Sequence, residues 1–325
     1  MRAPEFWQTE NGLARLLSPI GAIVGAITAG RIARAKPVRV GVPVICVGNL
    51  TAGGTGKTPI AASVAGRLKA RGLAPAILLR GYGGRKQPIP VRVDLSHHTV
   101  TDVGDEALLH ARAFPAFVSP LRDRAALAAI AAGATALVMD DGHQNPGLAR
   151  NLSLVVVDGI KGFGNGHIMP AGPLREDITA GLARADAVIL MGDDPRDLAS
   201  KLAQRLPVLR ARLVPGPEYR ALARQRVVAF AGIGDPDKFF RTLSATGAQV
   251  VAKRVFDDHH EFEAADIQPI LDEAYELDAL PVTTAKDAVR LSPDQRQQVN
   301  VLSVTVEWDD PAALERLLDR ALMKP

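Results

Sequence analysis

Short, mostly apolar runs alternate along this chain with longer stretches of mixed character. The runs at 44–47, 76–79, 136–139, 154–157, 187–190, 227–231, 250–255, 281–283 and 301–306 predict strands. Helical patterns lie between them, over 59–68, 122–132, 195–205, 236–245, 264–277 and 311–322. Ser119-Pro120 ahead of one of them has the look of a cap followed by proline in the first turn. A strand with no polar face is covered on both sides, so this alternation predicts an α/β protein whose parallel sheet is sheathed in helices. At Pro215-Gly216-Pro217 the pattern breaks and then restarts. The chain therefore divides into an N-terminal segment over 1–36, a nucleotide-binding unit over 37–217 and a smaller α/β unit over 218–325.

The turn after the first strand is the most informative segment. Gly48-Asn49-Leu50-Thr51-Ala52-Gly53-Gly54-Thr55-Gly56-Lys57-Thr58 leads from an apolar strand into a helix with Pro59 in its first turn. Strand, glycine-rich loop, Gly-Lys-Thr and helix together describe a phosphate cradle of the P-loop NTPase kind. Glycines let backbone N–H groups close around phosphate oxygens, and the helix N-terminus adds partial positive charge. Thr51, Ala52, Gly53, Gly54, Thr55, Gly56, Lys57 and Thr58 form the expected cradle, with Lys57 reaching the β- and γ-phosphates and the Thr58 hydroxyl facing Mg²⁺. The pattern departs from G-x-x-x-x-G-K-[ST] at its first glycine, where Thr51 stands; Gly53 and Gly54 supply the backbone freedom instead.

Residues 16–30 form an uncharged, mostly apolar run of about fifteen residues, short of the roughly twenty that span a bilayer. Arg15, Arg31, Arg34, Lys36 and Arg39 flank it, and basic flanks attract anionic headgroups. The expectation is a helix lying in a membrane interface, with a buried core helix as the alternative. Composition excludes other classes. With 325 residues, 47% hydrophobic and 23% charged, the chain is a folded protein of two units or one large one. A net charge of +4 and 4% aromatics give no sign of nucleic acid as a partner. The single cysteine, Cys46, falls inside the first strand, where a buried inert thiol is expected.

Other segments carry chemistry. The strand over 136–139 ends in Asp140-Asp141, and ligands of open α/β sheets sit at strand carboxyl ends. Asp140 or Asp141 is placed to hold Mg²⁺, directly or through water. Gly104-Asp105-Glu106 puts acids at a helix start. The loop over 162–176 is long and rich in glycine and proline, which marks a functional or mobile loop; its Arg175-Glu176 offers a cation and a carboxylate, or a surface ion pair. Asp257-Asp258-His259-His260 follows a strand of the second unit, and a histidine there could face acids across a cleft.

In order and spacing, these segments resemble the tetraacyldisaccharide 4′-kinase family, the lipid A 4′-kinases of Gram-negative bacteria. The resemblance rests on 48–58, Arg80-Gly81-Tyr82-Gly83, Gly104-Asp105-Glu106, Asp140-Asp141-Gly142, Gly162-Phe163-Gly164-Asn165-Gly166, Pro173-Leu174-Arg175-Glu176, Asp258-His259 and Thr284-Ala285-Lys286-Asp287-Ala288, and covers nearly the whole chain. It implies transfer of the ATP γ-phosphoryl group to the 4′-hydroxyl of tetraacyldisaccharide 1-phosphate, in a cleft between two α/β units at the cytoplasmic face of the inner membrane. It also implies roles. Asp105 takes the hydroxyl proton, and His259 pairs with it and raises its basicity. Lys57 and Thr58 keep their cradle roles. Asp140, Asp141 and Glu176 manage Mg²⁺ and its waters, and Arg175 neutralises the phosphoryl group in transfer.

Two points depart from the pattern or leave it open. His143 stands where the family often has Leu or Phe, and the doubled His259-His260 does not say which ring faces the base. The competing readings are a P-loop switch ATPase or GTPase recruited to the membrane, and a nucleotide-binding module without catalysis. Neither explains the whole constellation.

Overall fold

A computed structural model describes residues 4–85 and 89–323. Its strands, in chain order, are β1 (Val44–Gly48), β2 (Pro75–Leu79), β3 (Val91–Arg92), β4 (Ala116–Val118), β5 (Ala136–Asp140), β6 (Leu152–Asp158), β7 (Ala187–Met191), β8 (Val208–Pro215), β9 (Arg226–Ala231), β10 (Gln249–Val255), β11 (Leu280–Thr284), β12 (Asn300–Leu302) and β13 (Val304–Trp308). They form a nine-stranded sheet in the order β13-β8-β7-β6-β1-β5-β2-β4-β3 and a four-stranded sheet in the order β10-β9-β11-β12. In the large sheet only the edge strands β3 and β13 run antiparallel to their neighbours.

Alternation along β1 shows how the large sheet is covered. Ile45 and Val47 face one layer, where Ile60, Val64 and Leu68 of the helix Lys57–Ala70 pack with Leu314, Leu317 and Leu318 of the helix Pro311–Met323. Val44 and Cys46 face the other, against Ala125, Ala126 and Ala129 of the helix Arg122–Ala131. Cys46 is fully buried, and burial raises its thiol pKa, which disfavours the reactive thiolate. Because β1 lies between β5 and β6, the chain leaves it at the crossover where such sheets open a ligand crevice.

The end of the chain differs from the pattern-based reading. The run at 301–306 is not one strand. The chain breaks at Ser303, β12 completes the small sheet, and β13 pairs antiparallel with β8 of the large one. Residues 304–323 therefore belong with the large sheet, not with the unit expected over 218–325. The C-terminal helix is tied down there by Glu315, which pairs with Arg67 and Arg71, and by a 3.0 Å hydrogen bond from Trp308 Nε1 to Ser63 Oγ. The helix expected over 195–205 is shorter, Leu198–Ala203, because Asp197 takes a left-handed conformation ahead of it.

The N-terminal helix spans Gly12–Arg34, 23 residues, longer than its apolar run and about 35 Å at 1.5 Å per residue. It is long and apolar enough to cross a membrane, and only 6% of its most apolar window is buried, which separates it from a core helix. Leu16, Ile20, Ile23 and Ile27 are exposed. It is anchored to the body at several points: Trp7 Nε1 just before it donates to Pro170 O at 3.0 Å, Asn165 N donates to Trp7 O at 2.8 Å, Gly21 packs against Ile168, and Arg31 Nη2 donates to Gln144 O at 3.1 Å.

Candidate active site

The phosphate loop runs from Asn49 to Gly56, between β1 and the helix that starts at Lys57. Gly53 (φ 101°) and Gly56 (φ 88°) take left-handed conformations that a side chain would strain. Asn49, buried beneath the loop, donates from Nδ2 to Thr51 O at 2.7 Å and to Thr55 Oγ1 at 3.2 Å. The glycine-rich loop over 162–176 braces it from outside. Ala52 N donates to Pro173 O at 2.7 Å, and Arg175 N donates to Leu50 O at 2.8 Å. His143 sits behind the loop, buried, with Nε2 2.9 Å from Gly181 O. Burial pushes its pKa down to about 4, with Arg150 acting in the same direction, so the ring packs as a neutral group.

Four acids and their partners gather in front of the loop. Asp141 accepts from Arg175 Nη1 at 2.8 and 2.9 Å and lies 3.7 Å from Lys57 Nζ. Burial would raise its pKa, but Lys57 and Arg175 outweigh that and hold it below the usual carboxylate range. Glu176 is buried and already engaged by Arg184 Nη2 at 2.6 Å and Gln144 Nε2 at 2.9 Å. Asp140 is different. Its Oδ2 lies 2.8 Å from His110 Nε2, while its buried Oδ1 has no hydrogen-bond partner among the described residues. Glu106 stands beside this group; its own desolvation, then the charge of Asp140, push its pKa up to about 7.

Asp105 opens the helix Asp105–Ala111, and its Oδ2 lies 2.9 Å from His259 Nδ1. The preceding Gly104 has φ 85°, and a Cβ there would collide with the carbonyl oxygen of Tyr82. Lys286 Nζ and Arg290 Nε, also from the second unit, each lie 3.6 Å from the same oxygen. His260 turns away, paired with Asp266 at 2.9 Å and stacked on Phe256. Burial works to raise the Asp105 pKa, yet His259, Lys286 and Arg290 together pull it down to about 2. The histidine therefore stabilises the carboxylate rather than raising its basicity, which corrects the expected direction: a donated hydrogen bond favours the charged form.

Between these groups and the N-terminal helix lies a cavity of about 380 Å³. Val24 and Thr28 of that helix line it, together with Asp140, Asp141, Arg175, Tyr82 and Arg122. Arg122, Lys286, Arg290 and His110 were not among the expected site residues. Arg122 opens a helix whose pattern is otherwise purely structural, Lys286 lies within a motif that names no role by itself, and isolated Arg290 and His110 give no signal in sequence.

A cradle built for phosphate, set at the crossover of a parallel sheet and faced by strand-end carboxylates, defines a P-loop nucleotide-binding enzyme. A family model described as tetraacyldisaccharide-1-P 4′-kinase matches residues 13–323. The chain is 58% identical to the tetraacyldisaccharide 4′-kinase of Rhodospirillum rubrum, across 99% of this chain and 98% of that one. It is 53% identical to the enzyme of the same name from Paramagnetospirillum magneticum, across 98% of each. Its fold is similar to that of LpxK from Aquifex aeolicus, an "apo" form crystallised in complex with ATP, with a TM-score of 0.76, 25% identity, and coverage of 95% of this chain and 99% of that one. The chain belongs to the tetraacyldisaccharide-1-P 4′-kinase family.

Proposed function

We propose that this protein is an ATP-dependent kinase that phosphorylates the 4′-hydroxyl of tetraacyldisaccharide 1-phosphate in lipid A biosynthesis. The observation that carries this reading over a switch ATPase is the cavity joining the phosphate loop's carboxylates to the exposed apolar helix. A switch protein has no use for a space beside the phosphate loop that is lined in part by an exposed apolar helix. Family membership supports the same reading.

In this reading the loop N–H groups and Lys57 hold the ATP phosphates. The buried, unpartnered Oδ1 of Asp140 suits a hard cation, so Asp140 and the Thr58 hydroxyl would hold Mg²⁺, which when bound screens phosphate charge. Asp141 and Glu176, already paired with cationic side chains, act on that site through its field and waters. Arg175 supplies positive charge to the group in transfer. Asp105 aligns the acceptor hydroxyl and takes its proton late, when the bond to the leaving oxygen is largely broken. A loose transition state of this kind asks little basicity of the acceptor's partner, which suits a carboxylate held ionised by His259, Lys286 and Arg290. The exposed apolar helix, flanked by Arg15, Arg31, Arg34 and Lys36, would rest on the cytoplasmic face of the inner membrane.

The test is transfer of labelled γ-phosphate from ATP–Mg²⁺ to detergent-solubilised acceptor, with Lys57→Ala as control. Labelled lipid with wild type and none with the variant supports the kinase. Phosphate release independent of acceptor, with no labelled lipid, would point to the switch ATPase.

A further inference from the structure

His110 has no part in the chemistry assigned so far, yet it is built into the site. It lies near the end of the helix that Asp105 begins, and its Nε2 is 2.8 Å from Asp140 Oδ2, with both side chains 1% exposed. Facing a carboxylate, that nitrogen carries the proton and donates. Among the described residues the ring's Nδ1 has no hydrogen-bond partner, so this one hydrogen bond is its polar engagement there. The carboxylate is thereby made asymmetric: Oδ2 is tied to His110, and Oδ1 is buried and open. Asp140 is in register with Val47, one residue before the end of β1, where the phosphate loop begins. An unrestrained carboxylate turns about its Cβ–Cγ bond and presents either oxygen; a fixed one presents the same oxygen each time.

We propose that His110 is a positioning residue that holds Asp140 by Oδ2 and so presents Oδ1 to the divalent cation that accompanies ATP. The inference rests on the reading of Asp140 as the cation-facing carboxylate. It has a structural corollary. The helix Asp105–Ala111 carries the acceptor-side acid at its first residue and the cation-side positioner five residues on, so one rigid element sets both ends of the transfer path.

Electron paramagnetic resonance of Mn²⁺ titrated into enzyme saturated with ATP, without acceptor, tests this apart from turnover. His110→Leu keeps the volume and removes the donor. Mn²⁺ affinity of the ATP complex is expected to fall about 10- to 100-fold, the usual effect of removing a partner behind a metal ligand. His110→Gln, whose amide reaches the position of Nε2, is expected to restore affinity to within about threefold. If the leucine variant does not fold, His110→Asn, whose amide stops short of Asp140, takes its place with the same expected loss. Wild-type Mn²⁺ affinity in the donor-less variant, alongside weakened affinity in Asp140→Asn, would overturn the role of His110 and leave Asp140 in place. Unchanged affinity in Asp140→Asn would remove the underlying reading, and this inference with it.

Discussion

Asp105→Asn separates the acid's charge from its shape. The carboxylate is buried, 2% exposed, and faces His259, Lys286 and Arg290. Asparagine preserves the volume and can still accept from His259, but it takes no proton from a hydroxyl. Loss of a positioned proton acceptor costs about 10²- to 10⁴-fold in rate, or roughly 3–5 kcal/mol of transition-state stabilisation. We expect kcat for labelled transfer to fall by that factor and KM for ATP to stay within about threefold, because the carboxylate of Asp105 is engaged by His259, Lys286 and Arg290 of the second unit. The same substitution carries a stability signature. The Asp105 pKa lies at about 2 against 3.8 for an ordinary aspartate, which corresponds to about 2 kcal/mol of stability from the ionised form. Since the folded pKa is the lower one, that contribution is complete above about pH 4 and disappears as pH falls towards 2. The variant should therefore be destabilised by that order at pH 7, read by urea unfolding, and should lose part of the wild type's acid sensitivity. Turnover within threefold of wild type would refute the proton-acceptor role. A parallel rise in KM for ATP would refute the placement of Asp105 on the acceptor side.

Gly104→Ala forces a Cβ against the Tyr82 carbonyl at positive φ, and we expect about 1–3 kcal/mol of destabilisation with a larger loss of turnover, measured by urea unfolding and labelled transfer. Glu106→Gln removes a group whose pKa is raised from 4.5 to about 7. Stability linked to that group is present below about pH 4.5 and is lost as pH rises through 7, so in metal-free buffer the variant should abolish a decline of a few kcal/mol between pH 5 and 7 in urea titrations. Replacing Leu16, Ile23 and Ile27 together with Glu should release the protein from anionic vesicles in flotation assays, while replacements at Leu127 and Tyr275, exposed on other helices, should not.

The central strands were legible because both their faces are buried, which leaves an uninterrupted apolar run for each. β8 was not, since Arg210 and Arg212 alternate with its buried Leu209 and Ala211 near the sheet's edge. The break at Ser303 was equally invisible: a single serine between two β-rich runs carries no turn signal, and which sheet each run joins is decided by partners far away in the chain. The phosphate loop could be read because its chemistry is local. The Asp105–His259 contact spans 154 residues and came only through resemblance to a family, and Lys286 and Arg290, which add to the effect of His259 on Asp105, converge there in a way no local pattern encodes.

The return of the chain at Ser303 has a mechanical consequence. The second unit is not an appendage at one end but a loop of chain paid out from β8 and drawn back into β13, so it hangs from two straps. Those straps lie side by side, with Gly216 N donating to Ser303 O at 2.9 Å. A body hung from one strand can swivel in any direction; one hung from two adjacent strands swings like a door on its jamb. His259, Lys286 and Arg290 belong to the hung unit, and Asp105, which they contact, to the frame.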